Sequence, residues 1–290
     1  GEMKNISFGL FAAEEIVSAS GTSIPANGLI EIVSLNEDGT ATIKTDLPYG
    51  RYYVQEIATD SHYKLSDAKY PIIFEYVGQD TAVVKIAVND GKAIKNDLIY
   101  GSVSGKKVDE DGNALGGAMI GLFRTDDGEF TKENALMTTT SAEEGSFSFE
   151  NIPCGTWYVR EIEQPTGFVL DDTIYPVTIG TDGQVVEIEI VNEYGRGNIH
   201  LTKVDSEYHD NKLTGAVFEV YKDSNNNGKL DDSDELLGTL TEKEIGEYGM
   251  NDLFYGRYFI KETKAPDGFV LDTDVYEVVI DTDGKTYDVE

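Results

Sequence analysis

Cysteine is nearly absent: the 290-residue chain has one, Cys154. No internal disulfide framework can form, so an extracellular protein of this sequence needs another kind of staple. Basic charge is scarce as well. Against 54 Asp and Glu stand 23 Lys and Arg, a net charge of −31. A surface of that sign repels a phosphate backbone, which excludes nucleic acid as a partner. Long apolar runs are missing; stretches such as Val83–Ile86 fall far short of the roughly 18 residues a membrane helix needs. No charged-then-apolar leader opens the sequence, so any leader or anchor is expected outside it. The three histidines, His62, His200 and His209, lack metal-ligand spacing. No glycine-rich phosphate loop, nucleophile elbow or paired zinc motif occurs.

What is present is apolar and aromatic. Hydrophobic residues make up 40% of the chain, with 17 Tyr and 12 Phe, too many for a disordered acidic tail. The length predicts two or three domains.

The sequence repeats with a period of about 96 residues. Leu47-Pro48-Tyr49-Gly50-Arg51-Tyr52-Tyr53-Val54-Gln55-Glu56 is matched by Ile152-Pro153-Cys154-Gly155-Thr156-Trp157-Tyr158-Val159-Arg160-Glu161 and by Leu253-Phe254-Tyr255-Gly256-Arg257-Tyr258-Phe259-Ile260-Lys261-Glu262. A starting phrase ending in Lys-Val-Asp recurs at 107–109 and 203–205, and a closing phrase at 175–183 and 276–284. These fix three units, 1–98, 99–194 and 195–290, joined by short Tyr-Gly connections. Connections this short predict a semi-rigid rod. Within each unit apolar residues alternate and Asp-Gly or Asn-Gly turns recur, so the class is all-β, with a Greek-key sandwich in each unit.

Side chains alternate across a strand, and parity therefore assigns faces. Lys203 shares a face with Ile199 and Leu201. Glu56, Glu161 and Glu262 each share a face with two apolar residues of their repeated phrase. Asn192 lines up with Ile188 and Ile190, and Asn96 with Ile94 and Leu98. The plain reading is a Lys and Glu paired at the end of the sandwich and snorkelling to water. Repetition points instead to a shared chemistry, because burying a charge costs several kcal/mol unless it is paired or neutralised. Desolvation lowers a lysine pKa and raises a glutamate pKa, leaving a nucleophilic amine beside a protonated acid. The acid can hydrogen-bond an asparagine carboxamide and shuttle protons while ammonia leaves. The product is a Lys–Asn isopeptide crosslink, which supplies the missing staple and stabilises by about 4 kcal/mol on the analogy of a disulfide closing a comparable loop.

The Lys-Val-Asp start, the strand Gly215-Ala216-Val217-Phe218-Glu219-Val220-Tyr221, the Tyr258–Glu262 phrase followed by Ala265-Pro266-Asp267-Gly268-Phe269, and the terminal Asn resemble Cna B-type (SpaA-like) domains. The resemblance runs through all three units. It implies a Gram-positive, extracellular, cell wall-attached adhesin or sortase-assembled pilin, with a first-strand Lys joined to a last-strand Asn and a Glu as catalyst. Carried over, Lys107, Glu161 and Asn192 form the complete set; Lys106 has the opposite parity. The first unit begins at its second strand, so Glu56 and Asn96 lack their lysine, and Lys4 is no substitute. The third ends before its terminal Asn, leaving Lys203 and Glu262 incomplete.

The third unit also carries an insert, Asp223 to Glu235. Oxygen donors at Asp223, Asn225, Asn227, Asp231 and Asp234, glycine at position 6 and the Lys229 carbonyl at position 7 reproduce the spacing of an EF-hand-type loop. It resembles calcium sites of related B-type repeats, with Asp in place of the usual Glu at position 12. A polar hairpin without an ion is the alternative. Calcium there would add rigidity, and no cofactor is required otherwise.

The resulting expectation is a surface stalk made of tandem repeats, crosslinked by its own side chains and without turnover chemistry. Its partners are neighbouring repeats of the same chain and, through an anchor outside the sequence, the cell wall. The alternative is a binding module that recognises a host protein or glycan through its loops, among them the extra segment Ser18–Asn27 of the first unit.

Overall fold

The computed structural model describes residues 5–18, 20–81 and 83–289. By compactness the chain falls into two units. One comprises Gly1–Val103, Glu150–Thr156 and Val177–Val186; the other comprises Ser104–Phe149, Trp157–Pro176 and Glu187–Glu290. The boundary runs through the middle repeat, and Lys107, Glu161 and Asn192 all lie in the second unit.

The first repeat contains β1 (Ser7–Ala12), β2 (Ile16–Val17), β3 (Ser23–Ile24), β4 (Leu29–Ser34), β5 (Gly50–Ala58) and β6 (Lys69–Phe74). They form one sheet of order β4-β1-β5-β6 and a small ribbon, β2-β3. Leu10, Ala12, Ile16, Tyr52, Val54 and Ile72 make its core. The extra segment read from the sequence, Ser18–Asn27, carries the second strand of this ribbon, with Ile24 opposite Ile16 of the first. A two-sheet sandwich was expected here, yet the described residues give a single main sheet. Residues 93–97 are irregular, and Leu98, assigned inward by parity, is 40% exposed and makes only an isolated bridge to Tyr63. Among the described residues, backbone pairing here is confined to Lys64 N–H with Asp97 O and Ile99 N–H with His62 O around the Tyr63–Leu98 bridge, so alternation alone does not make the segment a strand.

The middle repeat has β7 (Tyr100–Asp109), β8 (Met119–Phe123), β9 (Met137–Thr140), β10 (Ser146–Pro153), β11 (Gly155–Glu163), β12 (Tyr175–Ile179) and β13 (Val185–Asn192). Its sheets have orders β10-β7-β13 and β12-β11-β8-β9, so the first and last strands are neighbours. Buried residues alternate as period-2 patterning requires: Val103, Gly105 and Lys107 on β7, and Trp157, Val159 and Glu161 on β11. Gly105 is needed for packing, since a Cβ there would lie 2.0 Å from Cζ of Phe147. Gly105→Ala is expected to cost about 1–3 kcal/mol through overpacking. A denaturation midpoint equal to that of the parent protein would show that the Phe147 ring moves aside freely.

The third repeat has β14 (Arg196–Thr202), β15 (Val217–Lys222), β16 (Glu235–Thr239), β17 (Thr241–Glu244), β18 (Glu247–Phe254), β19 (Gly256–Lys264), β20 (Val275–Ile280) and β21 (Thr286–Val289). The sheets are β17-β18-β14-β21 and β16-β15-β19-β20. β14 and β21 pair in parallel, from Asn198 opposite Thr286 to Leu201 opposite Val289. Ile199, Leu201, Tyr248 and Val289 from one sheet meet Phe218, Val220, Tyr258, Ile260 and Ile280 from the other. Two facing sheets with interdigitated inner residues are the sandwich that the sequence predicts.

Candidate crosslinking site

Lys107 stands near the end of β7, where its backbone is held on both sides: its N–H donates to Gly145 O and its carbonyl accepts from Leu115 N. Those bonds, with the pleat, drive its side chain into the middle repeat, where it is 0% exposed. Lys106 is on the solvent side. Glu161 on β11 and Asn192 at the end of β13 are each 1% exposed.

The three side chains meet. Lys107 Nζ donates to Ile190 O at 3.1 Å and lies 3.9 Å from Glu161 Oε1. Glu161 Oε2 accepts from Asn192 Nδ2 at 2.7 Å and from the backbone N–H of Asp171 at 2.8 Å. Asn192 Nδ2 also donates to Val169 O at 2.6 Å. Glu161 therefore touches the amide nitrogen rather than the carbonyl, because Val169 O fixes which way the carboxamide turns. Two buried oxygens are left without a hydrogen-bond partner, Glu161 Oε1 and Asn192 Oδ1. Unsatisfied buried oxygens carry a desolvation penalty and are uncommon in folded proteins.

Electrostatics follow burial. Desolvation pulls the Lys107 pKa below its ordinary value, against the opposing pull of Glu161 and Asp171. Desolvation pushes Glu161 up, although the Asp171 N–H, Asn192 and Lys107 pull the other way. Both shifts favour the uncharged pair, an amine facing a carboxylic acid.

The third repeat reproduces half of this arrangement. Lys203 is held by Gly246 O and Leu213 N as Lys107 is by its partners, and its Nζ lies 3.3 Å from Glu262 Oε1. Glu262 is fully buried, while the lysine side chain is 18% exposed. Among the described residues no asparagine is hydrogen-bonded to Glu262. The first repeat has the other half: Asn96 Nδ2 donates to Glu56 Oε1 at 2.7 Å and to Thr59 Oγ1 at 2.6 Å. Lys4 lies outside the described residues.

Sequence reading did not single out the residue ten positions after each glutamate. Its backbone N–H is bonded to Oε2 in every repeat: Ser66 to Glu56, Asp171 to Glu161 and Asp272 to Glu262, at 2.9, 2.8 and 2.7 Å. The recurring spacing Asp171–Tyr175 and Asp272–Tyr276 was the available signal. The Val169 carbonyl had none, since a backbone contact leaves no mark on residue type.

The insert of the third repeat closes on itself. Asp223 accepts from the N–H groups of Asn227 and Gly228, and Arg257 Nε lies 3.5 Å from its buried carboxylate. Asn225 and Asn227 donate to Asp231, whose pKa is held low first by the Ser233 hydroxyl. Asp234 accepts from Ser224 and Asp231, and Asn227 accepts from Lys229 N–H. The oxygens are of the hard type that calcium takes. Among the described residues, however, no three Asp, Glu, His or Cys side chains are grouped to hold a metal ion, so the set depends on carboxamide and backbone oxygens.

His200 is on the outer face, between Glu247 and Asp288 at 2.6 and 2.8 Å. Cys154 is a half-buried free thiol in the turn before β11.

Fold and site together define a repeat protein of tandem prealbumin-like β domains with a buried Lys–Glu–Asn cluster at its middle. The family model described as SpaA, a prealbumin-like fold domain, matches residues 2–92, 101–194 and 197–290, and the chain belongs to that family. It is 36% identical over 80 residues to the trypsin-resistant surface T6 protein of Streptococcus pyogenes serotype M6, covering 28% of this chain and 13% of that protein. To Colossin-A of Dictyostelium discoideum it is 24% identical over 304 residues, 93% of this chain but 2% of the relative. The chain thus spans only a small part of the curated relatives it matches. The solved Bacillus anthracis TIE protein shares its fold, with a TM-score of 0.66 at 22% identity over 99% of this chain and 47% of that one.

Proposed function

We propose that the chain is part of the structural stalk of a bacterial cell-surface protein of adhesin or pilin type, outside the cell, and that its middle repeat is stapled by an isopeptide bond between Lys107 and Asn192. The observation that carries this reading is the buried contact set joining first strand, catalyst and last strand, with Glu161 Oε1 left open toward the lysine.

The uncharged pair is the reactive form. Lys107 Nζ attacks the Asn192 side-chain carbon, forming the new C–N bond. One Nζ proton passes to Glu161 Oε1, and the proton on the acid goes from Oε2 to the departing Nδ2 that it already contacts. The C–Nδ2 bond breaks, ammonia leaves, and Glu161 ends protonated as it began. No oxidant or cofactor enters. The Ile190 carbonyl holds one amine hydrogen and Val169 O holds the leaving group, so orientation is built in.

Protons set the pH dependence. Lys107 and Glu161 titrate as a pair, and between its two apparent pKa values the share of the uncharged form is constant. In more acid solution the amine takes up a proton and is no longer a nucleophile; in more alkaline solution the acid is lost. Ammonia release from freshly refolded chain is therefore expected to have a flat centre and falling limbs on both sides. A rate that climbs steadily with pH would indicate that the acid form has no part in the step.

A bond between neighbouring first and last strands bears load directly. In single-molecule pulling, the residues between Lys107 and Asn192 are expected not to extend at forces that unfold a variant unable to crosslink. Equal extension in both would count against the stalk role.

Calcium in the insert of the third repeat is a further part of the proposal, supported by the spacing and oxygen chemistry of residues 223–234. Calcium at about 100 times its dissociation constant would stabilise that repeat by about 2.7 kcal/mol. Melting curves that coincide in calcium and in chelator would remove the ion from the account.

A further inference from the structure

We propose that Asp171 and Tyr175 are positioning residues for the crosslinking step, holding Glu161 by Oε2 so that Oε1 is the oxygen presented to Lys107. The proposal rests on the reading of Lys107, Glu161 and Asn192 given above.

A carboxylate has two equivalent oxygens, and in a buried pocket either can face the amine. The N–H of Asp171 removes that equivalence by bonding Oε2 at 2.8 Å. The turn carrying this N–H is itself fixed by the Asp171 side chain. One carboxylate oxygen accepts from Thr173 N at 3.0 Å and the other from Tyr175 OH at 2.7 Å. Tyr175 opens β12, which pairs with the strand bearing Glu161. The latch thus runs from one strand, through a turn, back to the catalytic carboxylate on its neighbour.

The third repeat builds the same latch. Asp272 N–H meets Glu262 Oε2 at 2.7 Å, Asp272 accepts from Asp274 N at 2.9 Å, and Tyr276 OH donates to it at 2.6 Å. There too Oε1 is without a hydrogen-bond partner and faces the lysine. In the first repeat Ser66 keeps the N–H bond to Glu56 but offers only a hydroxyl, which accepts from Ala68 N at 3.2 Å. Among the described residues, the carboxylate anchor occurs in the two repeats where a lysine is seen facing the glutamate. Burial alone would raise the Asp171 pKa, but bonds from Thr173 and Tyr175 hold it low, so the anchor stays charged.

The test uses full-length chain isolated unreacted under denaturing conditions and refolded by dilution, with ammonia loss followed by intact mass in timed samples. Asp171→Ala is expected to slow the reaction about 10- to 100-fold, the scale of a misplaced reacting group, while the final yield stays complete. Tyr175→Phe should slow it less. Asp171→Asn, which still accepts in the turn, should react within about threefold of the parent, and the acid limb of its pH profile should move to lower pH, because the Asp171 charge no longer helps Lys107 keep its proton. A parental rate in Asp171→Ala, in a protein whose parent reacts, would overturn the latch. A parent that never loses ammonia would instead refute the crosslink reading itself. If Asp171→Ala does not fold, Asp171→Ser, the residue of the first repeat, and Tyr175→Phe decide the matter in the same way.

Discussion

Glu161→Ala is expected to leave the chain at its full mass and to lower the melting temperature of the middle repeat by at least about 20 °C, the share that belongs to the lost staple alone. Glu161 is the acid that contacts both Lys107 Nζ and Asn192 Nδ2 and can take one proton and supply the other, so without it the amide stays intact. The staple it would have formed closes most of the repeat. Closing a loop of roughly 85 residues, Lys107 to Asn192, restricts the unfolded chain by about 4–5 kcal/mol, and each kcal/mol moves the melting temperature of a domain this size by about 4–8 °C. Glu161→Gln separates chemistry from packing: it keeps the shape of the side chain but cannot exchange the proton, and it is expected to be equally unreactive. Loss of ammonia in either variant would remove Glu161 as catalyst.

The second large effect concerns what an unreacted site leaves behind. In Glu161→Ala, Lys107 is still fully buried, with the Ile190 carbonyl as its hydrogen-bond acceptor. Removing one partner of a buried pair costs about 3–5 kcal/mol, whereas replacing both with well-packed apolar residues is often neutral or better. Lys107→Met combined with Glu161→Leu is therefore expected to recover about 3–5 kcal/mol relative to Glu161→Ala, yet to remain about 4 kcal/mol below the crosslinked parent. The sign of the pH dependence gives a second readout. Lys107 has its folded pKa below the unfolded value, so between the two the unfolded chain binds the extra proton and stability rises with pH. Loss of the Glu161 charge, which opposes the downward shift, widens that window. Glu161→Ala should thus gain stability as the solution is made alkaline, and the double variant should lose that slope. Urea titrations at several pH values measure both; parallel curves for the two proteins would mean that the lysine is solvated in the unreacted fold.

Much of this was legible in the residues. Three repeated phrases marked the chain as a repeat, as the three matches of the family model have it, and period-2 alternation placed Glu161 on the inward face with Trp157 and Val159, where the structure has it. Parity also distinguished Lys107 from Lys106. It failed at Leu98 because alternation reports which face a residue would take in a strand, not whether a neighbouring strand exists to pair with it. The orientation of Asn192 was not legible either: it depends on the carbonyl of Val169, and backbone acceptors are the same for every residue. The Asp171 latch lay in between, visible as a spacing after each glutamate but chemically mute until its N–H was seen to meet Oε2. In the insert, spacing gave the oxygen donors, while their mutual hydrogen bonds and Arg257 beside Asp223 came only from the fold.

The central claim is tested most directly by the intact mass of the parent protein, with peptide mapping of the segments that contain Lys107 and Asn192. A mass short by one ammonia, with the two segments recovered as a single branched peptide, is the predicted result. Full mass with both segments free would contradict it, leaving the buried Lys107, Glu161 and Asn192 as a structural cluster and the stalk without its staple.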